Sequence, residues 1–144
     1  MLKVISSMAE LPSELLEQVY GQAVDEDYLR FEFFRIPGAK ICLWYVEGVC
    51  VSALRLEPWR DGLLLTGLET APLWRNQGHA GALLLTVQNH LAQQGSYRLY
   101  AHIHKRNLPS VRVHERCGFR MISDTAALLD GTVSAQMGTY LLEF

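Results

Sequence analysis

A chain of 144 residues with 49% apolar content is the length of one domain and can bury a core of its own, so residues 1–144 are expected to form a single domain. The 13 Lys and Arg against 15 Asp and Glu leave a net charge of -2 with the basic residues dispersed, which gives no electrostatic ground for a nucleic acid or an anionic membrane as partner. Cys42, Cys50 and Cys117 are odd in number and lack CxxC spacing, arguing against a disulfide framework or a structural zinc site; with no apolar run of bilayer length, the sequence predicts a soluble cytoplasmic protein.

In chain order, residues 2 to 6 form a short expected strand. The stretch ELPSELLEQVYGQA places Pro12 near a helix start and Leu15, Leu16, Val19, Tyr20 and Ala23 at helical spacing, and DEDYLRFEFF continues as a second, less regular helical piece. AKICLWYVEGVCVSALRLE reads as two β runs around Glu47-Gly48, and a turn at PWRDG leads into a third, LLLTGLET. From Gly78 the period changes: Ala80, Leu83, Leu84, Val87 and Leu91 share a helical face, with Gly95 as the stop. YRLYAHIHK alternates again, with Arg98, Tyr100, His102 and His104 on one face. Asn107 is a good N-cap, Pro109 sits in the first turn and Gly118 ends a short helix; FRMISDTAALL and VSAQMGTYLLEF then form two strands around Asp130-Gly131. The order β, α, α, β, β, β, α, β, α, β, β describes a mixed α/β domain with an antiparallel front.

The stretch PLWRNQGHAGALLL, residues 72 to 85, concentrates small residues where this central helix begins. The first turn of a helix carries unpartnered N–H groups and the positive end of the dipole, so it can hold an anion without a charged side chain. Gly78, Ala80 and Gly81 would leave those N–H groups uncovered, and Arg75 could add a charge-assisted contact. Neither GxGxxG nor GK[ST] is present, which sets aside the dinucleotide fingerprint and the Walker loop. A plain close crossing of strand and helix would also select small residues.

Arg75-Asn76-Gln77-Gly78-His79-Ala80 resembles the [R/Q]xxGx[G/A] pyrophosphate loop of the GNAT superfamily, the acetyl-CoA-dependent N-acetyltransferases. A second stretch, NLPSVRVHERCGF, resembles another motif of that superfamily through Asn107, Ser110, Glu115, Gly118 and Phe119. The resemblance, which spans nearly the whole chain in element order, implies a central, mostly antiparallel sheet of about seven strands, splayed between the fourth and fifth, with about four helices. It implies acetyl-CoA as acyl donor, with no metal, and an N-acetyltransferase that attacks directly in a ternary complex. A non-catalytic acyl-CoA-binding or sensing module on the same fold is the alternative.

By the same resemblance, the CoA pyrophosphate would lie on the backbone of Gln77, Gly78, His79, Ala80 and Gly81, beside Arg75 and Asn76. Leu68, Glu69 and Thr70 would bond the pantetheine arm and the acetyl carbonyl through their backbone, and Asn107, followed by Ser110, would contact that arm. His114 stands where the superfamily usually has a tyrosine acid, and is either that acid or a partly exposed helix residue. His102 occupies the place where some members carry a glutamate base, with His104 on the same side; Glu69 and Glu57 are further candidate bases. An HxH metal site and an acyl-enzyme on Cys117 are weaker readings, the thiol fitting a core position better. The acceptor, a small-molecule amine or a peptide N-terminus, would meet DEDYLRFEFF and LLDGTVSA. The strand QMGTYLLEF either offers an edge for a homodimer or is covered within the monomer.

Overall fold

The alternating runs of the sequence become strands wherever one face can be buried. The computed structural model describes residues 1–95, 97–128 and 130–144. It contains β1 (Leu2–Ile5), a π-helical turn (Leu15–Val19), α1 (Glu26–Phe31), β2 (Lys40–Val46), β3 (Val49–Trp59), β4 (Gly62–Thr70), α2 (His79–Ala92), β5 (Arg98–His104) and α3 (Leu108–Arg116), then β6 (Arg120–Ser123), β7 (Ala126–Ala127), β8 (Val133–Ser134) and β9 (Met137–Glu143). Seven strands form one sheet in the order β1-β2-β3-β4-β5-β9-β6, antiparallel throughout except for the β4–β5 pair, and β7 and β8 make a separate hairpin. This is the mixed α/β architecture with a seven-stranded, mostly antiparallel sheet that the sequence predicts. Among the described residues no helix is long and apolar enough to cross a membrane.

The period-2 pattern sends alternate side chains to opposite faces, and each face has its own cover. On one, Leu54, Leu65, Leu99 and Ala101 pack with Leu83, Leu84, Val87 and Leu91 of α2 and with Cys117 and Phe119 beyond α3. On the other, Ile41, Leu43 and Ala53 pack with Leu15, Val19 and Tyr20, with Leu29 of α1 and with Phe33. All three cysteines are buried and free.

The pairing of β4 with β5 is short: Leu63, Leu64 and Leu65 meet Leu99, Tyr100 and Ala101, and the partnership ends there. At its start the two strands are pressed together, since a Cβ on Gly62 would run into the carbonyl of Arg98. Further along, the β3–β4 register slips between Ala53–Glu69 and Arg55–Thr66, so Gly67 and Leu68 together oppose Leu54 in a β-bulge, with Gly67 in the left-handed region at φ 62. The bulge bends β4 away from β5 and leaves Thr66–Thr70 facing His102–His104 across a gap. This is the splay between the fourth and fifth strands that the resemblance implies.

Three segments depart from the expected elements. The first expected helix is instead a π-helical turn flanked by short 3-10 turns: the Tyr20 N–H bonds the Leu15 carbonyl at 2.8 Å, which keeps Leu15, Val19 and Tyr20 all buried. Gly21, at φ 55, then ends it. The strand expected over FRMISDTAALL divides into β6 and β7 because the Ser123 hydroxyl accepts from the Thr125 N–H and imposes a turn; Leu129 of that run lies outside the described residues. VSAQMGTYLLEF divides into β8 and β9 for a related reason, the Gln136 N–H donating to the Ser134 hydroxyl. β9 lies between β5 and β6, so of the two expectations for this strand the covered one holds.

Candidate active site

Two pockets flank the β4–β5 gap, one on each side of the sheet. The first, about 600 Å³, lies between the C-terminal end of β4 and the N-terminal ends of α2 and α3. Of the residues expected to bind the donor, Leu68, Glu69, Thr70, Arg75, Asn76, Gly78, His79, Ala80, Gly81, Asn107 and Ser110 line it; Gln77 does not, its side-chain amide donating to the Leu73 carbonyl at 3.2 Å. Trp74, Pro109, Arg112, Val113 and Arg116 complete the wall. Asn76 and Gly78 both adopt positive φ, 60 and 83, so the loop curls into the helix and aims its N–H groups inward.

The intrahelical ladder of α2 begins with the Ala82 N–H on the Gly78 carbonyl, so the N–H groups of His79, Ala80 and Gly81 precede any helical acceptor. No side chain caps them. Tight packing does not account for the small residues: a Cβ on Gly78 would meet nothing within 4 Å, and one on Gly81 only Val113 Cγ2 at 3.7 Å. The space in front of the helix is open, and the donor set suits a phosphate group. The free end of β4, which has no β5 partner, is fixed by side chains. Ser52, fully buried, donates to the Glu69 carbonyl at 2.7 Å, and Arg75 Nε donates to the Thr70 carbonyl at 3.0 Å. Asn107 both lines the pocket and caps α3, accepting from the Ser110 N–H at 3.3 Å.

The second pocket, about 500 Å³, opens on the face covered by α1. Tyr28 of α1, Arg55 and Glu57 of β3, Thr66 and Gly67 at the bulge, and His102 of β5 line it, with Leu128, Asp130 and Met137 closing it from the C-terminal segments. Contributions therefore come from both stretches expected to meet an acceptor. His102 is half-buried against Trp59, ring centroids 5.0 Å apart. Burial, helped by the charge of Arg60, holds its pKa below the ordinary 6.5, so the imidazole is neutral at pH 7 and can accept a proton. Glu57 is only 5% exposed, and burial pushes its carboxyl up against the opposing charge of Arg55.

The remaining candidates fall elsewhere. His114 lines neither pocket: it is 2% exposed, packed edge-on against Phe119 at 5.1 Å, with Nδ1 2.7 Å from the Ser110 carbonyl. A carbonyl only accepts, so Nδ1 carries the proton, and Nε2 is buried without a partner among the described residues. Burial lowers its pKa, the Ser110 contact opposing. The expectation of a partly exposed helix residue is corrected here, because α3 turns this side chain into the core. His104 accepts the Arg106 N–H at 3.1 Å on its Nδ1 and so shapes the turn after β5. The Cys117 thiol is buried in the core beneath α2, and burial raises its pKa.

Two residues escaped the sequence reading. Ser52 reads there as one more small residue in a β run, and nothing in its spacing marks a support for β4. Arg55 did leave a signal: a charge at an inward position of the apolar run VCVSALRLE demands a reason.

A family model described as "Acetyltransferase (GNAT) family" matches residues 5–119. No curated protein matches the chain. Among solved structures, the chain is similar to an IAA acetyltransferase from Bacillus cereus ATCC 14579, at 16% identity and a TM-score of 0.71 over 100% of this chain and 99% of that one. It is similar to the ribosomal-protein-S18-alanine N-acetyltransferase of Escherichia coli, at 16% identity and a TM-score of 0.71 over 99% of this chain and 94% of that one. A Bacillus subtilis acetyltransferase in complex with CoA matches at 12% identity and a TM-score of 0.71 over 100% and 99%.

Proposed function

Because this chain belongs to the GNAT acetyltransferase family, we propose that it transfers acetyl from acetyl-CoA to a primary amine by direct attack in a ternary complex. The observation that carries this reading is the end of β4–β5 pairing at Leu65–Ala101, with a pocket on each side of the gap. The donor would enter from the α2 side, its pyrophosphate on the N–H groups of His79, Ala80 and Gly81 and beside Arg75. Its thioester would then reach the gap along Leu68, Glu69 and Thr70. The complex of the similar Bacillus subtilis protein with CoA supports that donor. The amine would arrive through the second pocket, so that the two reactants meet only in the gap. Acceptors at peptide N-termini, as the name of the Escherichia coli protein states for that enzyme, belong to the same chemistry.

In the transfer, the amine nitrogen attacks the acetyl carbonyl carbon, a C–N bond forms and the C–S bond breaks. His102 takes the proton lost by nitrogen, its neutral ring already half-shielded in the pocket wall, and Glu57 is the second group in reach of the same space. The CoA sulfur leaves as a thiolate, an anion stable enough to depart without a proton and to take one afterwards from water in the open cleft. No side-chain acid is then required. His114, with its only proton committed to the Ser110 carbonyl, positions the start of α3 and hence Asn107.

The test is thermal unfolding with acetyl-CoA, CoA, ATP and NAD, followed by CoA release with an amine panel in wild type and His102→Gln. Shifts with acetyl-CoA and CoA alone, and turnover that falls about 10²-fold or more in the variant with donor binding retained, are the expected results. Read from kcat at saturating acceptor, the rise with pH that belongs to the base should lie below 6.5, because the pKa of His102 is lowered and the base form persists into mild acid. Donor binding without turnover on any amine would favour the non-catalytic acyl-CoA-binding module instead.

A further inference from the structure

Arg55 is held in the wall of the second pocket in a way that folding alone does not explain. Its guanidinium carbon lies 5.1 Å from the ring centroid of Tyr20, 5.8 Å from Tyr28 and 5.9 Å from Phe33. Among the described residues Nε and Nη1 are buried without a well-aligned hydrogen bond, and the side chain has no ion pair within 4.0 Å. The Tyr20 hydroxyl beside it is buried too; burial raises its pKa, and the neighbouring Arg55 guanidinium, within reach as a poorly aligned donor, opposes that rise. Gly67 gives it room: a Cβ there would stand 2.5 Å from Nη1, so the guanidinium lies directly over the bulge that opens the β4–β5 gap.

Native proteins pair buried donors, and a guanidinium is built to meet a carboxylate with parallel N–H groups. Most of the other charges around the pocket are acidic: Glu57 lies two residues along β3 on the same face and Asp130 also lines it, with Glu69 near Tyr20 and Glu32 near Tyr28, while the cation Arg60 lies on the His102 side. A simple polyamine would suit the acids and leave Arg55 unpaired beside a like charge. A dicarboxylate would suit Arg55 and meet Glu57 and Asp130. A molecule carrying one ammonium and one carboxylate satisfies both sets.

We infer that the acceptor is an amine that also bears a carboxylate, as a free amino acid does, and that Arg55 on β3 is the residue that selects it. The inference rests on the second pocket being the acceptor site. Arg55 binds the carboxylate at the bulge, while the amine lies toward Glu57 and His102. Leu64, Leu128 and Met137 line the rest of the pocket, which fits a substituent of apolar character.

The experiment measures CoA release by the full chain with acetyl-CoA and matched sets of acceptors: free amino acids, the same compounds as amides, and the amines left when the carboxylate is removed. The set is run in wild type, Arg55→Met and Arg55→Lys, with the acetyl-CoA thermal shift measured in each. The expected result is a kcat/KM for the free acids at least tenfold above their amides and decarboxylated partners. That preference should vanish in Arg55→Met and persist in part in Arg55→Lys, with the acetyl-CoA shift unchanged. Equal or better turnover of the amides or plain amines by wild type overturns the inference while leaving the acetyltransferase reading intact, and it does so whether or not the variants fold. Absence of both a donor shift and turnover on every acceptor overturns the two together.

Discussion

A small residue at a helix N-terminus has two explanations, and Gly81 separates them. If packing selected it, a larger side chain would collide; the room around its Cβ says otherwise. An aspartate in the first turn of α2 would gain about 0.3–1 kcal/mol from the helix dipole. The same carboxylate would stand where the pyrophosphate is proposed to bind. Gly81→Asp should therefore unfold at an equal or higher temperature than wild type yet lose the stabilisation that acetyl-CoA gives. Retention of that stabilisation in a differential scanning experiment would remove the cradle from the mechanism. His114 is the opposite case, a buried residue whose Nδ1 is engaged by the Ser110 carbonyl. Truncation to alanine empties a buried site and removes the Nδ1–H bond to the Ser110 carbonyl, at a cost of about 2–3 kcal/mol, so lost activity in His114→Ala would report folding as much as catalysis.

The same histidine gives the fold a pH dependence whose direction is fixed. Burial lowers the folded-state pKa below 6.5, so as pH falls through 6.5 the unfolded chain takes up a proton that the folded chain refuses. Stability is full above 6.5 and declines below it until the folded-state pKa is reached. Denaturant unfolding at pH 7 and pH 5 should show the lower stability at pH 5, with a smaller difference in His114→Gln, since glutamine does not titrate in this range. An unchanged difference would assign the pH dependence to other groups.

Among the elements, α2 was plain in the sequence because its burial follows a single period: Leu83, Leu84, Val87 and Leu91 face one sheet, and propensity, pattern and stop signal agree. The segment at Leu15–Val19 shows the limit of that method. Its apolar spacing fits a helix, yet the turn widens so that Leu15 and Tyr20 both reach the sheet, and only the partner surface sets that preference. β4 carries the most consequential local device. It is clamped to β5 at Gly62 and released from it at Gly67, and both glycines look alike in sequence. Gly62→Ala would force the clamped end apart, at a cost of about 1–3 kcal/mol from overpacking. Its melting temperature should drop accordingly, and a variant as stable as wild type would mean the strands separate there without penalty.

Across the whole molecule, the sheet acts as a partition with one opening. In the proposed function a donor on one side and an amine on the other would be bound at once, and the three buried thiols are poor acyl carriers, since burial raises Cys42 and Cys50 to about 12 and also raises Cys117. Initial rates at varied donor and acceptor should give the intersecting pattern of a sequential mechanism, and mass spectrometry of protein incubated with acetyl-CoA alone should find no acetyl adduct. Parallel lines with a stable adduct would require a covalent intermediate and a different site.

The sequence by itself determined the element order from β2 to α3 and the two motifs at Arg75–Ala80 and Asn107–Phe119, because these depend on local periodicity, capping and the need for uncovered N–H groups. The tertiary structure alone decided which side of the partition each side chain serves. One inserted residue at the Gly67 bulge reverses the facing of everything after it on β4, and the turn of α3 carries His114 inward. Arg55 shows the reason most directly. Its neighbours Tyr20, Tyr28 and Phe33 come from one stretch of the chain and Gly67 from another, both distant in sequence from Arg55, and a pocket assembled across such distances leaves no spacing for a sequence to display.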